Sequence, residues 1–239
     1  MNDAQATLGI MMLDTSFPRI PGDVGNNLSY EYPVLLRTVP GATVQRVVYD
    51  ADPLLLDQFI DVARDLQAQG ASAITSSCGF LSLFQEKVAK AVSVPVFLSS
   101  LLQVPLVYAM TRRRVAIITA NSDSLTEEVL RSAGINRKTP LAVSGLQEVS
   151  AFRDPILNDG DSLQKDIIEE HILAKANLLL EQYPDIGAFV FECHNLAPYA
   201  KSVQEKMGYP VFDIIDFAKW VYSSILKRSY PAPSSSLKP

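Results

Sequence analysis

The chain has 239 residues, of which 48% are hydrophobic and 20% charged, and its formal net charge is −5. This composition is typical of a folded globular protein and excludes a disordered one. The acidic balance argues against nucleic-acid binding, which needs clustered Lys and Arg. No apolar run reaches the roughly 18 residues of a membrane span, and the first seven residues do not resemble a signal peptide. We expect a cytoplasmic protein that binds neither nucleic acid nor membrane.

The predicted elements alternate between strands and helices. Residues 8–13 form an apolar run that predicts a strand buried on both faces, ending at Asp14. Residues 17–27 hold two prolines and two glycines and predict a loop, which either covers a site or makes a surface excursion. Residues 44–49 predict a second strand, before a helix that starts at Asp52-Pro53. Further strands are predicted at residues 73–77, 94–98, 114–119, 141–146, 188–192 and 211–215, and further helices at 81–91, 101–110, 126–133, 162–183, 197–207 and 217–226.

The two cysteines mark an internal repeat. Cys78 and Cys193 each end an apolar run, and a proline follows each at the same distance, since 95 − 78 = 17 and 210 − 193 = 17. Alternation of strands and helices predicts an α/β fold with mainly parallel sheets, and the repeat predicts two pseudo-symmetric lobes, residues 1–110 and 111–214. The Pro/Ser-rich residues 229–239 are expected to be disordered.

Equivalent positions of two facing lobes would meet across a cleft, so the two cysteines would flank a bound substrate. Helix starts lower the pKa of a thiol, so one cysteine could be a thiolate while the other stays protonated. Such a pair can remove a proton from one face of a carbon acid and deliver another to the opposite face. The alternative is that each cysteine only packs in the core, as free cysteines often do. Two Cys and two His in no zinc-like spacing predict no metal site.

These features together resemble the aspartate/glutamate/hydantoin racemase superfamily. The resemblance rests on the two cysteine motifs, the lobe repeat, the first strand ending in Asp14, and the strand end at residues 117–121. It implies two α/β lobes with the active site between them, no pyridoxal phosphate or other cofactor, and Cys78 and Cys193 as the acid/base thiols. It also implies that a C-terminal helix, residues 215–228, returns to the first lobe, and that the protein forms a homodimer or a higher homo-oligomer.

The chain departs from this resemblance beside both cysteines. Amino-acid racemases of the family usually have Asn-Thr after the first cysteine, whereas this chain has Gly79-Phe80, which is closer to the hydantoin racemases. After the second cysteine the family often has Thr-His, whereas this chain has His194-Asn195. Gly79, Phe80 and His194 are therefore candidate substrate-binding residues. His194 could also lower the pKa of the Cys193 thiol, or simply lie exposed at a helix start.

The remaining candidates are polar side chains at strand ends and one cation. Asp14 could orient a thiol or contact an amino group, although an Asp in such a place often makes a turn. Ser77, Thr119 and Asn121 could bind a substrate carboxylate, or could cap helices. Arg19, in the predicted loop, is the best candidate for a cation at the carboxylate, and its alternative is a solvated loop arginine.

The resulting prediction is a cofactor-independent racemase or epimerase. Its substrate would be an amino acid, a related α-substituted carboxylate or a hydantoin, and two-base proton transfer would run between the two cysteines. One alternative is an enzyme like maleate isomerase or arylmalonate decarboxylase that uses one cysteine as nucleophile or proton donor. Another is a two-lobed small-molecule binding protein.

Overall fold

The computed structural model describes residues 6–227. The tail predicted to be disordered, residues 229–239, lies outside this range. The described chain forms two four-stranded sheets, every strand pair of which is parallel. The predicted α/β fold with two lobes is therefore confirmed. Within residues 6–227, no helix combines the length and the apolar character needed to cross a membrane.

The strands are β1 (Thr7–Met12), β2 (Val34–Thr38), β3 (Ala71–Ser76), β4 (Val96–Phe97), β5 (Arg114–Thr119), β6 (Leu141–Gly145), β7 (Ile186–Phe191) and β8 (Val211–Phe212). The α-helices are α1 (Leu56–Ala68), α2 (Gln85–Ala91), α3 (Val104–Thr111), α4 (Glu127–Ser132), α5 (Ser150–Phe152), α6 (Lys165–Gln182), α7 (Ala200–Met207) and α8 (Ile214–Ile225). Shorter 3₁₀ or π-helical segments are Asn27–Ser29, Gln45–Tyr49, Pro53–Leu55, Gly79–Phe84, Ser100–Gln103, Arg153–Leu157 and Ala197–Tyr199.

The two sheets have the same topology. The strand order is β2-β1-β3-β4 in the first and β6-β5-β7-β8 in the second. The cysteine separation of the sequence repeat, 193 − 78 = 115, carries β3 onto β7, since 71 + 115 = 186, and β4 onto β8, since 96 + 115 = 211. Cys78 and Cys193 therefore follow equivalent strands of the two lobes. Because all strands are parallel, both cysteines lie at the carboxyl edge of their sheet, where ligands bind in such folds.

Apolar periodicity explains how the helices attach to the sheets. On α1 the fully buried side chains are Phe59, Ala63 and Leu66, which share one face at helical spacing. The inner strands are buried on both faces, as the continuous apolar runs of β1 and β5 predicted. The C-terminal α8 lies on the first sheet.

Helix α8 packs through Ile214 and Phe217 against Leu8 and Ile10 of β1. Asp213 caps α8, since its carboxylate accepts hydrogen bonds from the amides of residues 215 and 216. Phe217 also contacts the ring of Phe97, with ring centroids 5.0 Å apart. The last helix therefore joins the end of the second lobe to the sheet of the first.

The prediction of a strand at residues 44–49 is wrong. The segment Gln45–Tyr49 is a π-helix that buries Val47 and Val48, and the second strand is instead β2 at Val34–Thr38. A short apolar run fits a strand and a buried helical turn equally well, and only its packing decides between them. β2 was missed because it is an edge strand whose side chains are only partly buried and include Arg37.

Candidate active site

The two cysteines line one cavity at the junction of the lobes. Cys78 follows β3 in an extended conformation and begins the 3₁₀ segment Gly79–Phe84, while Cys193 follows β7. Both side chains are buried, at 8% and 6% exposure, and both line a shared cavity. The repeat therefore brings the two thiols to the same site.

Both thiols are protonated in the resting protein. Burial raises the pKa of Cys78 and of Cys193, and the negative charge of Glu192 raises each further. At Cys78 the backbone amides of residues 80 and 81 and the charge of Arg19 act in the opposite direction. At Cys193 one amide lowers the pKa, whereas Cys78 and Asp23 add to the increase. The prediction that one thiol could be ionised does not hold for the resting protein, because desolvation outweighs the helix-start amides at both cysteines and the charge of Arg19 at Cys78.

Glu192 lies directly before Cys193 and is completely buried, although it also contacts the cavity. Its Oε2 accepts a hydrogen bond of 2.7 Å from the hydroxyl of Thr119. Its Oε1 has no hydrogen-bond partner within residues 6–227. Burial raises the pKa of this carboxyl to about 7, against the opposing effects of Thr119 and the amide of Ala120. Glu192 is thus a carboxyl group that can carry a proton at neutral pH.

Gly79 is required by the close approach of the two lobes at this point. A Cβ atom on Gly79 would lie 2.2 Å from the carbonyl oxygen of Glu192 and 2.3 Å from its Oε1. Both distances are far shorter than van der Waals contact, so a larger residue cannot occupy the position without displacing the end of β7. The departure from the racemase motif at Gly79 therefore has a steric cause inside the site.

His194 is a buried link between the lobes and does not contact the cavity. Its Nδ1 lies 2.9 Å from the carbonyl oxygen of Ser76, so this nitrogen carries the proton and donates. Its Nε2 accepts a hydrogen bond of 3.2 Å from the amide of Ser100. Burial lowers the pKa of the ring to about 4, so His194 is neutral at pH 7. The expected roles of His194, binding substrate or acidifying Cys193 as a cation, do not fit this position.

The loop after β1 covers the cavity with a set of polar side chains. Arg19 lines the cavity, with its guanidinium 4.4 Å from the ring centroid of Phe17. The guanidinium donates to the carboxylate of Asp23 at 2.9 Å and to the hydroxyl of Thr15 at 3.0 Å. Asp23 also accepts a hydrogen bond of 2.7 Å from the side-chain amide of Asn195 in the second lobe. These contacts place a cation at the cavity and tie the loop to both lobes.

A second contact holds the start of this loop to the opposite lobe. The carboxylate of Asp159 accepts hydrogen bonds from the amides of Ser16 and Phe17, at 2.7 and 2.9 Å. Its other oxygen accepts one of 3.2 Å from the Ser16 hydroxyl. Asp159 adopts a left-handed backbone conformation with φ of 55°, which directs its side chain to these groups. The loop over residues 15–29 therefore bridges the mouth of the cavity.

The other candidate residues divide into those in the cavity and those behind it. Ser77 and Phe80 line the cavity, and the hydroxyl oxygen of Ser77 accepts a hydrogen bond of 2.8 Å from the amide of Leu13. Thr119 and Asn121 are buried outside it, where Thr119 holds Glu192 and Asn121 bonds to Ser124. Their expected contact with a substrate carboxylate does not fit this geometry.

Asp14 also lies away from the cavity. It is exposed, and its carboxylate accepts a hydrogen bond of 2.9 Å from the amide of Gly41. This contact joins the end of β1 to a segment 27 residues further along the chain, and the expected role of Asp14 at the thiol or at an amino group does not fit it. The side chain at this strand end therefore holds a neighbouring loop and does not reach the cavity.

Several site residues escaped prediction from the sequence. Each lobe contributes a π-helical segment whose apolar side chains form a wall of the cavity, from Val44 and Val48 in the first lobe and from Ile156 and Leu157 in the second. π-Helical turns are frequent at functional sites but have no clear sequence pattern. Glu192 did carry a signal, since a carboxylate directly after a buried apolar strand and before a cysteine is unusual.

Comparisons with known proteins bear on the function of this cavity. No protein-family model matches the chain. The chain is 34% identical over 222 residues to a dimethylsulfoniopropionate lyase of Durusdinium sp. clade D, in an alignment that covers 90% of the chain and 73% of that protein. The chain belongs to the dimethylsulfoniopropionate lyase family. It is also 34% identical over 221 residues to dimethylsulfoniopropionate lyase 7 of Emiliania huxleyi (strain CCMP1516), where 87% of the chain and 64% of that protein align.

The predicted racemase activity is wrong, and so is the assignment to the isomerases. The family relatives are named as lyases, which cleave a bond, whereas a racemase inverts a stereocentre. The chain spans 64% to 73% of the lengths of these two dimethylsulfoniopropionate lyases. The racemase prediction rested on the two cysteines and on a resemblance of fold, and neither is specific for one reaction.

Solved structures show why the racemase resemblance arose. The structure matches arylmalonate decarboxylase with a TM-score of 0.61 at 18% identity, over 92% of both chains. It matches allantoin racemase from Klebsiella pneumoniae with a TM-score of 0.61 at 15% identity, over 92% of this chain and 87% of the other. The fold of the aspartate/glutamate/hydantoin racemase superfamily, which the resemblance predicted, is confirmed. The chain thus belongs to a family of named lyases and has the fold of a racemase.

Proposed function

We propose that this chain is a lyase that cleaves a carbon–sulfur bond in a 3-dialkylsulfoniopropionate, with dimethylsulfoniopropionate as the first substrate to test. The observation that carries the proposal is the 34% identity to named dimethylsulfoniopropionate lyases over 90% of the chain. The cavity supports the proposal. An elimination of this kind needs a base, a partner for the substrate carboxylate and an apolar environment, and the cavity is lined by two cysteines, Arg19 and apolar side chains.

The reaction is an elimination that needs one base. A cysteine thiolate removes a proton from C2, beside the carboxylate, and the C–H electron pair forms the double bond between C2 and C3. The bond from C3 to sulfur breaks with its electron pair going to sulfur, so dimethyl sulfide leaves as a neutral molecule beside acrylate. The base later returns its proton to solvent. Because dimethyl sulfide leaves without being protonated, no general acid has to act on the leaving group.

We assign the base to Cys78. The pKa of Cys78 is lowered by two helix-start amides and by Arg19, whereas Cys193 has one such amide and the additional unfavourable charges of Cys78 and Asp23. Cys78 is therefore the easier of the two thiols to ionise. A bound substrate adds its own sulfonium cation to the cavity, and an opposite charge nearby stabilises a thiolate further. Cys193 contacts the substrate from the second lobe.

The charges of the substrate fit the two sides of the cavity. We assign its carboxylate to Arg19, whose guanidinium faces the cavity and is held in place by Asp23 and Thr15. The sulfonium methyl groups then face the apolar wall formed by side chains such as Val48 and Leu157. An apolar wall favours conversion of a cation into a neutral thioether, because the charge that it disfavours is lost in the reaction.

The test is release of dimethyl sulfide from dimethylsulfoniopropionate, measured by gas chromatography, with acrylate measured by NMR. We expect the purified chain to form both products in equal amounts. Cys78→Ser should lower kcat by about 10²- to 10⁴-fold, the usual contribution of a positioned base. Cys193→Ser should lower it less, and the reverse order would assign the base to Cys193. A folded wild-type protein that releases no dimethyl sulfide would refute the proposed function.

A further inference from the structure

The unpaired oxygen of Glu192 indicates a second functional group in the cavity. We propose that Glu192 is a further catalytic residue, which acts as a neutral carboxylic acid and donates a hydrogen bond from Oε1 to the substrate carboxylate. The assignment of a carboxylate to this cavity rests on the proposed function.

The position of Oε1 is determined by its neighbours. Oε2 is held by the Thr119 hydroxyl at 2.7 Å, which fixes the orientation of the carboxyl group. Oε1 faces Gly79, where a Cβ atom would lie 2.3 Å away. No side chain at Gly79 stands beside this buried oxygen, and both residues line the cavity. A buried polar atom without a partner is costly, so its persistence points to a ligand.

The surroundings of Glu192 favour its neutral form. It is fully buried and forms no ion pair within residues 6–227. The charge of Glu192 raises the pKa of both Cys78 and Cys193, so ionisation of either thiol repels a carboxylate at Glu192. The cation of the loop, Arg19, already pairs with Asp23 at 2.9 Å. A thiolate base and a charged Glu192 are therefore mutually unfavourable, whereas a thiolate and a protonated Glu192 are compatible.

The elimination places its developing charge where Oε1 can stabilise it. Removal of the C2 proton moves electron density onto the oxygens of the substrate carboxylate before the carbon–sulfur bond is fully broken. A neutral acid that donates to one of these oxygens stabilises that charge, and the proton remains on Glu192 throughout. A buried carboxylic acid with a raised pKa is suited to this task, since it donates without bringing a negative charge.

The first test is the pH dependence of dimethyl sulfide release. In the wild type, kcat/KM should rise with pH up to about 7, because the Cys78 thiol ionises, and should level off above it, because the buried acid then loses its proton. Glu192→Gln keeps a donor of nearly the same shape that does not titrate, so its kcat/KM should continue to rise above pH 7, while its activity at pH 6 stays within about tenfold of the wild type. Glu192→Met removes the donor and should lower kcat about 10²- to 10³-fold at pH 6.

Asp213→Asn is the matched control for these variants. Asp213 is another buried carboxyl, whose pKa burial raises to about 6, but it caps α8 outside the cavity. Asn is an equally good capping residue. The control should keep the wild-type pH profile of kcat/KM. If Glu192→Gln also keeps the wild-type profile, or if Glu192→Met is as active as the wild type, the inference is wrong.

The second test needs no turnover and separates this inference from the proposed function. Propionate serves as a simple carboxylate, and its binding is measured by how well it protects the cysteines from alkylation by iodoacetamide. Protection of the wild type should weaken by about tenfold per pH unit above 7, whereas protection of Glu192→Gln should not. If the protein follows this pattern but releases no dimethyl sulfide, the role of Glu192 as a neutral acid is supported and the proposed lyase function is refuted. Equal protection of the wild type at pH 6 and pH 8 would refute the proposal that neutral Glu192 donates a hydrogen bond to a bound carboxylate.

Discussion

His194 should make the stability of this protein depend on pH in a way that one substitution removes. The ring is buried between the lobes, with Nδ1 donating to the carbonyl of Ser76 and Nε2 accepting from the amide of Ser100. A second ring proton would point at the Ser100 amide hydrogen, so the folded protein resists protonation. Burial accordingly lowers the pKa from 6.5 to about 4.

The magnitude follows from that difference in pKa. The unfolded chain takes up a proton near pH 6.5, whereas the folded protein does so near pH 4, a gap of about 2.5 units. At 1.36 kcal/mol per unit, the stabilisation due to neutral His194 is about 3 kcal/mol. It is fully present above pH 6.5 and is lost as the pH falls toward 4, because the unfolded state then binds the extra proton.

Glu192 has the opposite effect over nearly the same range. Its pKa is raised from 4.5 to about 7, so its contribution is present below pH 4.5 and is lost as the pH rises through 7. The two contributions are each about 3 kcal/mol and oppose one another between pH 4.5 and 6.5. The free energy of unfolding of the wild type should therefore change little with pH from these two groups, although each contributes strongly.

The assay is urea unfolding at 25 °C, followed by circular dichroism between pH 4.5 and 7.5. The difference in unfolding free energy between wild type and His194→Gln should grow by about 2 to 3 kcal/mol across this range. His171→Gln is the matched control, because the chain has two histidines and His171 is exposed on α6. A difference for His194→Gln that stays constant with pH, as expected for His171→Gln, would show that the ring is not held neutral by its partners.

Two further predictions concern the cavity. Gly79→Ala should lower the melting temperature by about 2 to 12 °C and suppress dimethyl sulfide release, because its Cβ would overlap both the carbonyl oxygen and Oε1 of Glu192. Gly70→Ala is the control, because no atom lies within 4 Å of the added carbon. Its φ of +96° should cost about 1 kcal/mol of backbone strain and leave activity unchanged. Equal effects of the two substitutions would contradict the steric argument. Asp159→Gly removes the acceptor for the amides of Ser16 and Phe17 while relieving its positive φ, so trypsin should cleave faster after Arg19 and KM should rise. An unchanged cleavage rate would show that this contact does not hold the loop.

Much of the fold was predictable because it rests on local and periodic signals. The buried strands β1, β3, β5 and β7 appear as continuous apolar runs, and the 115-residue repeat of the cysteines matches the repeat of the strands. The prediction of a strand at residues 44–49 failed because a run of six residues is too short for its periodicity to separate a strand from a helical turn. Whether such a run pairs as a strand or forms a helical turn depends on the residues that it contacts in the folded protein.

Part of the candidate site was predictable from the sequence. Cys78, Cys193 and Arg19 line the cavity as expected, while Asp14, Thr119, Asn121 and His194 point elsewhere. A strand end places a residue at the correct edge of a sheet, but side-chain direction and partner decide whether it reaches the cavity. His194 illustrates this, because its two partners come from positions about 118 and 94 residues away in the chain.

The sequence by itself determined the two-lobed α/β fold and the convergence of two thiols, because apolar runs and an internal repeat are properties of the chain order. It did not distinguish a lyase from a racemase, since a pair of cysteines in a shared fold is not specific for one reaction. The tertiary structure decided the charge states of the site. Burial keeps both thiols protonated, raises the pKa of Glu192 to about 7 and keeps His194 neutral, because desolvation depends on what surrounds a group and not on its neighbours in sequence.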